Sequence, residues 1–314
     1  MPTFAQNCLV DSLAALVNLK CLNPNSQNTF QLADIVSLMD NELSLAIVPL
    51  LKKTGQEYFV YNVDVPIVQG QSSYVFPPRA IGNAVRDVVL LDAGGNELAL
   101  NQLMREYIKV AFPYNMVPAL WSFSQYLSAN EVNLYNPLIQ SYTAYKLRFI
   151  TERRPNGLTL STNCGQITAI NGNVVSLSYL DPTWTTSQLF DIINPNPPFQ
   201  SIQDDQSITA ISGFTITFSS IPTLLAVGQW FCPAGLSPIP QIPYEIFPLL
   251  IERGVATVAE ALDMAQLLAS SKAKIQSFED NAAAIVRPRV KGSLRRIINQ
   301  DMGGSTFPFS GGIF

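Results

Sequence analysis

Apolar residues recur at helical spacing over residues 3–20, where Cys8, Leu9, Leu13, Leu16 and Val17 share one face. The polar stretch CLNPNSQN breaks that pattern, and a second helix is expected beyond it, with Thr29 as its N-cap. Its stripe is Leu32, Ile35, Met39, Leu43, Ala46, Ile47 and Leu50. It closes on Lys52 and Lys53, cations that suit the negative end of a helix dipole. Pro49 lacks a backbone donor and crowds the preceding turn, which predicts a kink or an early stop.

The period then changes to two. EYFVYNVDV and SSYVF read as strands around a QGQ turn, and Pro77 and Pro78 stiffen the exit from the second. AVRDVVLLD and ELAL read as a hairpin about AGGN. NQLMREYIKV reads as a short helix, and residues 111–142, rich in aromatics but weakly periodic, as mixed loop and helix. From 143 to 232 the chain alternates strongly in TAYKLRFIT, GLTLST, GQITAI, NVVSLSYL, ITAISGFTITF and LLAVGQWF, with Asn171-Gly172 as the strongest hairpin signal. Helical spacing returns in Tyr244–Arg253, with Pro243 suited to its first turn and Gly254 to its end, and then in a long helix from Thr257 to Val286.

These elements predict an α+β fold. N- and C-terminal helices form a helical core, with a small β-hairpin element and a central antiparallel β barrel or sandwich inserted between them. The expected boundaries are 1–142 for the N-terminal helices and hairpin element, 143–232 for the β insertion, 233–290 for the C-terminal helices and 291–314 for a tail without internal pattern.

Composition narrows the function. The chain of 314 residues is 47% hydrophobic but only 13% charged, against roughly 25% in ordinary soluble domains. Such a surface is either rich in Ser, Thr and Asn or covered by other chains. No apolar run approaches a membrane span, and Asp11 with the lack of a basic lead argues against a signal peptide. Cys8, Cys21, Cys164 and Cys232 have no metal-binding spacing and are expected as buried thiols. There is no histidine, which excludes Ser-His-Asp, Cys-His and HExxH chemistry. No catalytic, cofactor or metal residue is assigned. The carboxylates Asp191, Asp204 and Asp205 leave a metal or carboxylate-based enzyme as an open alternative. Gly94-Gly95 reads as a hairpin turn and Glu152-Arg153-Arg154 as a charged strand end.

Charge is unevenly placed. Arg287, Arg289, Lys291, Arg295 and Arg296 face one acid, Asp301, so the segment from 287 onward carries +4 and the rest of the chain −8. Phe307, Phe309 and Phe314 follow in GGSTFPFSGGIF as candidate anchors for a partner's pockets. The basic run suits acids on another protein or, alternatively, nucleic-acid phosphates.

The order of these pieces resembles the head-to-tail adaptor, or head completion, proteins of tailed bacteriophages. VPIVQGQSSYVFPPRAIG followed by VRDVVLLDAGGNELAL matches that family's pattern at Gly70, Gln71, Tyr74, Pro77, Val88, Leu90, Asp92, Gly95 and Leu98. IPQIPYEIFPLLIERGVATVAEAL resembles its proline-led helix and the Ala-rich one after it, and the PRV at 288–290 its closing motif. The resemblance covers residues about 25–110 and 240–292; the β segment between departs from the smallest adaptors, which are mostly helical. It implies a non-enzymatic structural protein, made in the host cytoplasm and carried in the virion at the head–tail interface. It further implies a ring, usually of twelve copies, that binds the portal protein and a downstream tail or nozzle protein, without membrane contact. Packaged DNA would pass through that ring. The tail residues from Arg287 to Phe314 named above would be its portal-docking element. A carbohydrate- or receptor-binding tail protein, using Trp121, Trp184 and Trp230 around the β region, is the alternative.

Overall fold

The computed structural model describes residues 8–21, 30–54, 58–68, 70–71, 73–98, 101–102, 120–126, 129–135 and 144–286. Within them the fold is mixed α and β, and the helices form one core drawn from both ends of the chain. Helix α1 (Val10–Lys20), helix α2 (Leu32–Glu42) and helix α3 (Val48–Thr54) pack with helix α4 (Phe247–Ala261) and helix α5 (Ala265–Ile285). Much of the predicted stripes is buried: Leu13 and Val17 from α1, Ile35 and Met39 from α2, and Val258 from α4 share one hydrophobic cluster with Leu249 and Leu250, whereas Leu16, Ala261 and Ala265 are exposed.

Two helix details differ from expectation. The second helix does not stop at Pro49. A π-helical turn over Leu43–Ile47 separates α2 from α3, and this widened turn accommodates the missing proline donor and the ring. Gly254 does not end a helix either; α4 runs through it. A Cβ at Gly254 would lie 3.0 Å from Met39 Cγ and 3.2 Å from Val17 Cγ2, so the residue lets three helices approach closely. The break falls later, where Asp263 adopts a left-handed φ of 54°, and α5 starts two residues beyond.

Strands β1 (Val60–Pro66), β2 (Ser73–Val75), β3 (Ala80–Leu91), β4 (Glu97–Leu98), β5 (Asn101–Gln102), β6 (Leu120–Tyr126), β7 (Ala129–Tyr135) and β8 (Lys146–Arg153) build two four-stranded sheets. One has the order β1-β8-β3-β4 and the other β2-β7-β6-β5. The AGGN turn closes β3 on β4, with Leu91 opposite Glu97 and Gly95 at φ 81°. VPIV and SSYVF are not partners of each other: β1 pairs with β8, and β2 with β7. The turn at Gly70 therefore passes the chain from one sheet to the next, and the Tyr74 hydroxyl holds it by accepting from the Val68 N–H at 3.1 Å. Asn101 and Gln102 are extended rather than helical, and Leu120–Tyr126 and Ala129–Tyr135 form an antiparallel strand pair where a mixed loop and helix was expected.

The third sheet has seven strands. It contains β10 (Gly165–Asn171), β11 (Val174–Leu177), β12 (Leu189–Ile193), β13 (Ser201–Ser207), β14 (Ala210–Ser212), β15 (Thr215–Thr217) and β16 (Trp230–Pro233) in the order β13-β12-β16-β10-β11-β15-β14. β9 (Gly157–Leu158) pairs separately with β17 (Leu236–Ser237). The Asn171-Gly172 hairpin forms as predicted, with Asn171 opposite Val174 and Gly172 at φ 56°. Every pairing in the sheet is antiparallel, and it ends on two different edge strands, so it is open rather than a closed barrel. Its core stacks Phe190 on Phe231 with centroids 4.6 Å apart, and Trp184 meets both rings edge-on.

The parts are tied by specific contacts. Phe199, fully buried on a loop of the seven-stranded sheet, packs 5.6 Å from Phe247 in the helical core. Asp40 of α2 accepts the Leu158 N–H at 2.8 Å, and Asp11 of α1 accepts the Ser161 N–H at 3.1 Å. Among the described residues no helix is long and apolar enough to cross a membrane.

Candidate functional site

The densest chemistry lies where the four-stranded sheet β1-β8-β3-β4 meets the seven-stranded sheet. Asp191, at the middle of β12, is fully buried. Its carboxylate accepts from both terminal nitrogens of Arg79, from Asn156 Nδ2 at 2.7 Å, from the Asp205 N–H at 3.0 Å and from the Gly235 N–H at 2.8 Å. Arg79 also contacts Asp205 at 2.6 Å and Asp204 at 3.4 Å. Arg153, at the end of β8, binds Asp204 at 2.6 Å and Asn156 at 3.1 Å. Tyr61 donates its hydroxyl to Asp204 at 3.1 Å, with the Arg153 guanidinium 5.3 Å from the centre of its ring.

Local sequence explains this assembly. Arg79 follows Pro77 and Pro78, whose restricted φ fixes the approach to β3 and aims the guanidinium across the seam. Asp205 sits at a left-handed φ of 55°, a conformation Asp tolerates better than most residues, and this presents its N–H to Asp191. Burial lowers the pKa of Arg79, but the hydrogen bond and charge of Asp191 and the charge of Asp204 more than offset it, so the guanidinium is held firmly charged. Burial first, then the Asp204 charge, push the Tyr61 hydroxyl up to about 12.

The three aspartates that left a metal or enzyme reading open are thus brought together, but with arginine as the counter-cation. The oxygens of Asp191 and Asp204 are taken up by two guanidinium groups, by Asn156, Tyr61 and Ser201 and by backbone N–H donors, and Asp205 gives one oxygen to Arg79. No group of three or more His, Cys, Asp or Glu among the described residues is arranged to hold a metal ion. A cleft of about 80 Å³ opens beside them, lined by Tyr58, Tyr61, Arg153, Ser201 and Gln241 among others. Arg153 Nε and Gln241 Nε2 have no hydrogen-bond partner, yet both are sealed from solvent, so the cleft presents neither donor. The arrangement is a fastening between sheets.

A second feature is apolar. A groove of about 690 Å³ runs between α1 and the start of α4, lined by Leu13, Leu16, Leu19, Phe247, Pro248 and Ile251 together with Tyr244 and Glu245. Leu16 and Leu19 are 43% and 68% exposed on its wall. Helical spacing placed Leu16 in a core stripe; its side chain faces the groove instead.

The remaining sequence candidates fall as follows. Trp184 is buried in the sheet core and Trp230 is half-buried against two hydrophobic clusters, so neither offers an open stacking face; the side chain of Trp121 lies outside the described residues. Glu152 pairs with Lys52 and Arg86. All four cysteines are buried thiols; Cys164 is hydrogen-bonded to Cys232, whose thiol burial and then that neighbour push well up. Arg287, Arg289, Lys291, Arg295, Arg296, Phe307, Phe309 and Phe314 lie outside the described residues. The seam was missed in sequence because Arg79 and Arg153 are 112 and 38 residues from Asp191; the stiff PPR tripeptide was its one local signal. Neither the protein-family models nor the curated proteins contain a match to the chain.

Proposed function

We propose that the chain is a non-enzymatic structural protein, a head-to-tail adaptor of a tailed bacteriophage that assembles as a ring, of twelve copies by analogy, between portal and tail. The observation that carries this reading is the helical core. It is built from both termini, as the resemblance implies, and it leaves a long apolar groove uncovered between α1 and α4. Contiguous apolar surface of this kind marks a protein–protein contact. In the ring this groove packs on a neighbouring subunit. The buried ion cluster supports the same reading, since it spends the chain's most reactive-looking carboxylates on joining sheets.

The seven-stranded sheet decorates the ring and meets the next tail component. Its turns expose Phe214, Leu224 and Val227, apolar tips suited to a partner's surface. Residues 291–314 dock on the portal, with Phe307, Phe309 and Phe314 as anchors and the basic run beside them. Full burial of one such ring is worth about 1.5–3 kcal/mol, against roughly 1–2 kcal/mol for ordering each residue of backbone, so several anchors must engage together. Deleting residues 292–314 is expected to leave the fold intact, read by far-UV circular dichroism, and to weaken co-sedimentation with the portal at least tenfold. Undiminished co-sedimentation would remove the docking role from the tail.

A further inference from the structure

We infer that, in the free subunit, the groove between α1 and α4 is occupied by the chain's own C-terminal segment, Gly303–Phe314. The argument starts from where the tail leaves the described fold. Helices α4 and α5 form an antiparallel hairpin, shown by the ion pairs of Arg253 with Glu279 and of Glu252 with Lys274. The last turns of α5 therefore return to the start of α4. There α5 packs on the 3₁₀ turn Tyr244–Ile246, and Ala282 is buried in the cluster that holds Ile246 and Phe247. Tyr244 and Phe247 are also groove residues. The described chain thus ends at Val286, packed against the same cluster as Phe247 of the groove wall.

Length and chemistry agree with that placement. Phe307 lies 21 residues beyond Val286, a reach of about 70 Å when extended, so the segment can lie along the groove without strain. GGSTFPFSGGIF offers three phenylalanines and a proline to a groove walled by Leu13, Leu16, Leu19 and Ile251. Glu245 lines the groove, and the segment that joins α5 to the phenylalanines carries five cations between Arg287 and Arg296 that complement it. Tethering sets the effective concentration of the segment near the millimolar range, which favours the chain's own groove over that of a second copy. The contact is a property of the single chain and does not rest on the portal. Its consequence for assembly does rest on the proposed function. A portal that captures the tail uncovers the groove, so subunits associate side by side only where a portal is present.

The test installs a benzophenone side chain at position 309 of the full-length protein (Phe309→p-benzoylphenylalanine) and maps photo-cross-links by mass spectrometry, with no portal added. The expected product is monomeric, joins position 309 to peptides carrying Leu16, Leu19 or Pro248, and is formed in the same yield over a hundredfold dilution. The substitutions Leu16→Asp and Leu19→Asp, at positions 43% and 68% exposed, should cut that yield at least tenfold while leaving the far-UV circular dichroism spectrum in place. Dimer-sized products whose yield follows concentration would assign the groove to a second copy and overturn the inference. Cross-links confined to other surfaces, or none, would overturn it as well. None of these outcomes bears on portal binding, which is scored separately by co-sedimentation.

Discussion

The seam around Asp191 and the groove beside Leu16 are opposite solutions to the same problem of unsatisfied surface. At the seam, a fully buried carboxylate is surrounded by five donors from four residues besides its own strand. Both oxygens of Asp191 are taken up. In the groove, leucines at 43% and 68% exposure have no such completion among the described residues. Charged clusters attract attention as sites, yet here the charged cluster is closed and the plain apolar surface is open. What a region still lacks says more about its function than how reactive its residues look.

That contrast can be broken from the seam first. Arg79→Ala removes the cation from a carboxylate that stays buried, and losing one partner of such a pair costs about 3–5 kcal/mol. Urea denaturation should show a loss in that range, and Asp191→Asn combined with Arg79→Ala should recover part of it. A loss below about 1 kcal/mol would mean that water reaches Asp191 and that the seam is not closed.

The seam also carries a titration of its own. Tyr61 ionises at about 12 in the folded chain, against 10.0 for a free tyrosine. Its folded pKa is raised, so its contribution to stability is complete below pH 10 and is lost as pH rises from 10 towards 12. The difference in phenolate absorbance between the native chain and Tyr61→Phe should therefore show a midpoint near 12. Asp204→Asn should move that midpoint down, because it removes the nearest negative charge. A midpoint at the free-tyrosine value would contradict the geometry of the cluster.

From the groove side the expected change in stability is the smallest. Leu16→Asp with Leu19→Asp alters positions outside the hydrophobic cores, so unfolding should lose little more than the tail's contact, about 1.4 kcal/mol for a tenfold weakening. Ring formation with the portal should nevertheless be lost, read by negative-stain microscopy. Rings that form normally would return the groove to ordinary surface.

Local pattern reported the helices well because each buries one stripe, and Leu13, Ile35, Met39 and Val258 fall where the 3.6-residue period puts them. It failed where tertiary contact overrides the local signal. Gly254 looked like a helix stop but is retained for close approach to Met39 and Val17. The strands either side of Gly70 looked like a hairpin, but their partners, Lys146–Arg153 and Ala129–Tyr135, lie far along the chain. The seam was illegible for the same reason, since no local spacing joins Arg79 to Asp191. Only the stiffening of Pro77 and Pro78 indicated that the following arginine has one fixed place to go.

The central claim, a ring subunit that assembles on its portal, is tested most directly by electron microscopy of the purified chain alone and mixed with the portal ring of the same phage. The account predicts dispersed subunits in the first sample and, in the second, portal particles carrying an added ring of density on one face. Portal particles without added density in the mixed sample would contradict it.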